Sequence, residues 1–236
     1  MPVPPRALAV LVLVGVTLLT GLTGCSDSQA SPEGKSPEQV LAEAKTTLDE
    51  TSGLRLRLAT DDLPEGVQGL TAATGAATHA PAFDGTISVI FAGQSVDVPV
   101  VAVDRRVYAQ IPLTIGWSDV DPSEYGAPDP AALMDPETGL SSLLPATEGL
   151  TEGDSVRGGA DNDEILTEYT GTVPGAAMKQ VIPSATGDSF DVTYTVTDGG
   201  ELRQAVLTGV FYAGSPSMTY TVDFEDYGST PEITAP

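Results

Sequence analysis

From Leu54 onward the chain alternates apolar and polar residues with a period of two, and this limits its fold more than any other feature. Leu54, Leu56 and Leu58 alternate with Arg55 and Arg57. Phe190, Val192, Tyr194 and Val196 alternate with Asp191, Thr193, Thr195 and Thr197, and Tyr220, Val222 and Phe224 with Thr219, Thr221 and Asp223. Ile87, Val89 and Phe91 form another such set. Successive side chains point to opposite faces of a strand, so each run is a strand with one apolar face. Further strands are expected near 67–78, 85–92, 95–103, 106–111, 155–159, 165–173 and 201–212. The turns between them (Ala92-Gly93-Gln94, Asp198-Gly199-Gly200, Ala213-Gly214-Ser215) imply antiparallel hairpins and a meander. Helical signals are fewer. Ser36-Pro37-Glu38-Gln39 supplies an N-cap, a proline at the first helical position and a capping-box glutamine. Val40, Leu41, Ala44 and Leu48 then form an apolar stripe at helical spacing that Gly53 closes. Short helices are expected near 129–134, 139–144 and 174–182. About ten half-apolar strands with so few helices to cover them require a sheet that curls. The pattern alone favours a packed interior behind that sheet. Its small aliphatic lining leaves an apolar cavity as the alternative.

The first residues are of a different kind. Arg6 precedes the apolar run Ala7–Val16, which continues through Leu18 and Leu19 and ends in Leu22-Thr23-Gly24-Cys25. The run is too short for a comfortable membrane span of about 20 residues and suits a signal-peptide core. A small pair before a cysteine at that point is the lipobox pattern of bacterial lipoproteins. Residues 1–24 are therefore read as a signal peptide and Cys25 as the lipidation site. Residues 25–35 are a polar linker, 36–228 one domain and 229–236 a frayed C-terminal tail. Cys25 is the single cysteine, so no disulfide forms within one molecule. The expected place is the extracytoplasmic side of the cell membrane, held by the lipid.

Charge and chemistry exclude more than they assign. A formal net charge of −23 argues against nucleic acid and against the domain lying flat on anionic lipid. The sole histidine, His79, has no sequence neighbours that would make it a metal ligand or a base, and reads as a solvent residue. Gly153-Asp154-Ser155 and Gly187-Asp188-Ser189 superficially resemble lipase nucleophile motifs, but no histidine follows to deprotonate the serine. Asp161-Asn162-Asp163-Glu164 lacks the spacing of a calcium loop and reads as a turn. No catalytic residue, metal or cofactor is expected.

The central segment is more specific. Asp104, Val107-Tyr108-Ala109, Trp117-Ser118-Asp119, Tyr125, Asp129-Pro130, Pro136-Glu137-Thr138-Gly139-Leu140 and Leu143-Leu144 closely resemble the LppX/LprA/LprF/LprG family of mycobacterial lipoproteins, nearest the LprG branch. The match departs over Val67–Pro81, richer in Gly, Ala and Thr, and at Arg105-Arg106. The resemblance implies an α+β fold: a strongly bent antiparallel sheet, an unclosed half-barrel similar to LolA/LolB carriers, with helices on its concave face enclosing an apolar cavity. It implies cargo of triacylated lipids or glycolipids, of the phosphatidylinositol mannoside, lipoarabinomannan or triacylglycerol type, passed from the plasma membrane toward the outer envelope. A major-facilitator efflux transporter is an implied partner, and an accessory protein docking onto such a transporter is the alternative role. Matched residue by residue, Ile87, Val89, Phe91, Val98 and Val100 fall on the cavity wall. Leu133, Leu140, Leu143 and Leu144 fall on its helical side, with Tyr108, Trp117 and the Ser141-Ser142 turn at the mouth. Plain core is the competing reading for each wall residue.

Overall fold

The computed structural model describes residues 34–125, 127–159 and 162–236. The signal-peptide and Cys25 readings lie outside them. Helix α1 (Pro37–Glu50) starts where the capping box places it: Ser36 Oγ accepts from the Gln39 amide and the Gln39 side chain accepts from the Ser36 amide. Its buried stripe is Leu41, Ala44 and Leu48.

Eleven strands follow in one antiparallel sheet. They are β1 (Gly53–Ala59), β2 (Leu70–Thr78), β3 (Ala82–Phe91), β4 (Gln94–Val103), β5 (Arg106–Ala109), β6 (Ser118–Val120), β7 (Glu148–Gly158), β8 (Glu164–Pro174), β9 (Ser189–Thr197), β10 (Leu202–Gly209) and β11 (Met218–Glu225). A second helix, α2 (Gly175–Val181), joins β8 to β9. The spatial order is β6-β5-β4-β3-β2-β1-β11-β10-β9-β8-β7, so first and last strands pair at the centre and two meandering wings spread from that seam. The sheet does not close: β6 and β7 are its edges. Between them the chain makes three 3-10 turns, Pro122–Tyr125, Pro130–Met134 and Leu140–Leu143. The last two stand where short helices were expected. Both edges are poor templates for further pairing, β6 because it is three residues long and β7 because register shifts interrupt its ladder.

Two hairpins have two-residue turns with both residues left-handed, Ala92-Gly93 (φ 51° and 77°) and Asp104-Arg105 (φ 54° and 62°). That geometry matches the twist of the flanking strands. It gives the Arg105 departure a backbone role, while Arg106 pairs with Asp119 at 3.7 Å. Residues 229–236 have no regular structure, yet they do not simply fray. The Ser229 carbonyl accepts from Ser52 Oγ at 3.1 Å, and Pro231 and Ile233 are half-buried in a depression shared with Ala80 and Pro81.

Residues opposite one another in an antiparallel ladder share a face, so the register identifies the covered side. One row runs Val98, Ile87, Ala73, Leu58, Val222, Ala205, Tyr194, Tyr169 across eight strands. A second runs Ala109, Val100, Gly85, Gly75, Leu56, Phe224. Nearly all of these belong to the core, and α1, α2 and the Pro130–Met134 and Leu140–Leu143 turns pack on this inner face.

Candidate functional site

The two wings of the inner face are finished differently. On the β8–β11 wing, Tyr169, Tyr194, Phe190, Phe211 and Phe224 are fully buried. The rings of Phe190 and Phe211 stand 5.0 Å apart, and Phe211 meets Tyr220 edge-on at 4.9 Å. Burial pushes the Tyr194 hydroxyl's ionisation well up, and that hydroxyl lies 3.1 Å from Thr147 Oγ1. Helices α1 and α2 and the Leu140–Leu143 turn lie over this wing and close it.

The β2–β5 wing has a floor of small residues: Ala73, Gly75, Ala77, Gly85, Ala102 and Ala109. Phe83 fills the relief over the paired glycines, since a Cβ at Gly75 or Gly85 would stand 2.5 or 2.7 Å from its Cζ. One 3-10 turn, Pro130–Met134, is set against β2, β3 and β4 and buries Ala131 and Met134. Toward the β3–β4 hairpin that cover runs out. There Leu58, Ile87, Val89, Val96, Ile111 and Leu133 pack against the core yet stay half-buried. The result is a half-covered apolar strip, or groove, toward that end of the sheet.

The expected wall residues therefore divide. Ile87, Val89, Val98, Val100 and Leu133 come together in and under the groove. Leu140, Leu143 and Leu144 do not join them: they are at most 6% exposed, on the segment that packs with α1 and α2, and serve as core. Phe91 shares the parity of Ile87 and Val89, but at the strand's last position nothing covers it and it is 66% exposed. Tyr108 stands on the other face, opposite Val101 and Asp119, because the inner positions of β5 are Val107 and Ala109. Trp117 stands half-buried at the foot of the 111–116 loop, just before β6. Ser141 is buried beneath α1, where its Oγ accepts from Lys45 Nζ at 3.3 Å, so it is no part of a mouth. Helical elements thus cover the inner face of the unclosed sheet, α1, α2 and the Leu140–Leu143 turn over one wing and the Pro130–Met134 turn over part of the other. Two depressions of the surface, about 310 Å³ beside α2 and about 540 Å³ beside the C-terminal tail, touch none of the groove residues.

The residues that carry the motif hold the cover in place. Asp129 caps the Pro130–Met134 turn, accepting from the Ala131 amide at 2.9 Å. Asp135 Oδ1 accepts from the amides of Glu137 (2.9 Å) and Thr138 (2.8 Å) and from Thr138 Oγ1 (3.0 Å). Those two amides, with a smaller contribution from Lys45, hold its carboxyl below the ordinary range. Gly139 must lack a Cβ, which would fall 2.4 Å from the Leu133 carbonyl oxygen. Lys45 of α1 ties the segment down through the Pro136 carbonyl (2.7 Å) and Ser141 Oγ (3.3 Å), and pairs with Asp49 of its own helix at 2.5 Å. Two further ties had no sequence signal. His79 is no solvent residue: its Nε2 lies 2.8 Å from the Leu48 carbonyl, an orphan acceptor in the last turn of α1. Tyr220 donates to the Leu70 carbonyl at 2.7 Å and meets Tyr212 Oη at 2.9 Å, joining the two wings. Both pair residues far apart in sequence. The serines of the two Gly-Asp-Ser triplets stand in strands, and Ser155 bonds to Thr167 at 2.8 Å. Asn162 at φ 57° and the Glu164–Arg203 ion pair fit the turn reading of 161–164, of which Asp161 lies outside the described residues.

A family model described as LppX_LprAFG lipoprotein matches residues 36–232. The chain belongs to that family. Its curated relatives include the lipoarabinomannan carrier protein LprG of Mycobacterium tuberculosis (strain ATCC 25618 / H37Rv) and of Mycobacterium bovis (strain BCG / Pasteur 1173P2). Each is 25% identical over 182 residues, covering 75% of this chain and 74% of the relative. This agrees with the LprG-like pattern of the central motifs. Among solved structures, LprF from Mycobacterium bovis superposes with a TM-score of 0.69 at 15% identity, covering 88% of this chain and 98% of LprF. LppX from Mycobacterium tuberculosis gives 0.60 at 16% identity, covering 84% and 98%. Both share the unclosed-sheet fold of this lipoprotein.

Proposed function

We propose that this lipoprotein, anchored through Cys25 outside the plasma membrane, carries multiply acylated lipids or glycolipids toward the outer envelope without acting as an enzyme. The observation that carries the proposal is the half-covered aliphatic groove of the β2–β5 wing, in a sheet whose other wing is packed. Each methylene exposed to water costs about 0.8 kcal/mol, so an acyl chain shielded in such a groove crosses an aqueous space at far lower cost, with no chemistry required. The small floor residues admit a chain, and the cover is a single turn fastened at its two ends by Asp129 and Asp135. Cargo with several chains needs more space than the groove shows, and lifting that turn would supply it. The name of the LprG relatives points the same way, toward a glycolipid of the lipoarabinomannan class.

The test is to purify residues 26–236 without detergent from an envelope-bearing host, extract, and compare lipids by mass spectrometry with an Ile87→Trp variant. Acylated species in the first, depleted in the folded second, support the reading. A folded protein that is empty and also fails to take up added glycolipid overturns it.

A further inference from the structure

Charge in this protein is sharply segregated. Between Gly66 and Ser118 the formally charged residues are Asp84, Asp97, Asp104, Arg105 and Arg106 alone, and the stretches 85–96 and 107–118 carry none. The fold brings these two uncharged stretches to one end of the sheet. Strands β3 and β4 turn at Ala92-Gly93. The chain leaving β5 continues along β4 toward that same end, with the Gln110 amide bonded to the Pro99 carbonyl at 3.0 Å, before the 111–116 loop. Four large hydrophobic residues are exposed among those described, and three of them are here: Phe91 at 66%, Leu113 at 106% and Ile115 at 103%. Leu113 is moreover held at φ 70°, a conformation costly for a leucine. Its full exposure means that no burial inside the protein compensates. Trp117 stands at the foot of the same loop.

We infer that this end of the molecule, the β3–β4 hairpin tip and the 111–116 loop, inserts into a neutral lipid bilayer. Two protruding tips of aliphatic and aromatic side chains, with no charge between them, fit a fluid apolar phase better than the shaped surface of a protein partner. Acids flank this end: Asp97, bonded to Ser88 on the outer face, Asp119 just past Trp117, and Asp61, Asp62 and Glu65 of the β1–β2 loop. They supply no attraction to anionic headgroups, so the contact is with the acyl region of a zwitterionic membrane. Because the groove lies toward the same end, the inserted tip sets it against the bilayer. The contact itself does not depend on what the groove carries.

Trp117 is the only tryptophan in the chain and reports on the loop directly. The full mature chain is bound to phosphatidylcholine vesicles with plain or brominated acyl chains, and tryptophan emission is compared. Insertion predicts strong quenching by bromine that adding phosphatidylglycerol does not increase. Leu113→Asp combined with Ile115→Asp, two solvent-exposed positions, removes the quenching while circular dichroism stays unchanged. Ile87→Arg, which blocks the groove instead, keeps it. Absence of quenching in the unaltered chain overturns the inference. So does quenching that Ile87→Arg abolishes and the loop variant retains, since bromolipid would then have entered as cargo. An emission shift that follows protein concentration without bromine quenching would instead assign the tips to a second copy of the chain.

Discussion

Asp135→Ala probes whether the family motif acts by fastening the cover of the groove. In the intact protein two amides and a hydroxyl converge on one carboxylate oxygen at 2.8–3.0 Å. The donors Glu137 and Thr138 are exposed, so water replaces part of what is lost. By comparison with helix-cap deletions the net cost is about 1–2 kcal/mol. For a domain of this size that lowers Tm by roughly 3–7 °C. The pH dependence separates this cause from others. The folded-state carboxyl titrates below its ordinary value of 3.8. Its contribution is therefore complete above that value and is lost as the pH falls through the lower folded one. Calorimetry of both proteins at pH 7 should show the full gap, and at pH 2.5 the gap should be smaller. An equal gap at both pH values would mean that the carboxylate is not the cause. No gap at pH 7 would remove Asp135 as the fastening of the cover.

Gly85→Ala places a Cβ 2.2 Å from the Thr74 carbonyl oxygen and 2.7 Å from Phe83 Cζ. Backbone and ring must both move, which costs about 1–3 kcal/mol or more and is expected to shift the urea midpoint downward. A midpoint equal to wild type would show that the glycine pair is not needed for Phe83 to lie on the floor. His79→Ala leaves the Leu48 carbonyl without its side-chain partner and should lower stability by about 1 kcal/mol, with amide exchange accelerated in the last turn of α1. Unchanged exchange there would rule out the capping role.

Much of this architecture is legible in the residues because it is local. The capping box fixes the start of α1, and the strict alternations of β9 and β11 tell inner from outer faces before any fold is known. Legibility fails where the local signal is weak. The first half of β7, Glu148–Asp154, has two glycines and three acids and forms an exposed edge that alternation cannot reveal. In Val107-Tyr108-Ala109 all three residues are apolar, so either parity could face inward, and only pairing with β4 and β6 turns Tyr108 outward. Phe91 reads as inward by period, but a strand end lacks the neighbours that would bury it. The leucines at 140, 143 and 144 are correctly apolar; which of two wings they cover depends on contacts with α1 and α2, distant in sequence.

The central pairing of β1 with β11 has a consequence for how the molecule comes into being. Hairpins within each wing join residues near in sequence and can form early, whereas Arg55 meets Glu225 across most of the domain. Closing that seam carries the largest loop entropy and comes last. A chain delivered through a membrane with its N-terminus leading would hold a half-finished sheet, its β1 edge and apolar face open, until its final strand emerged. Loss of the last strand, with Val222 and Phe224, would leave two wings with no joint, a state prone to aggregate rather than a shorter domain.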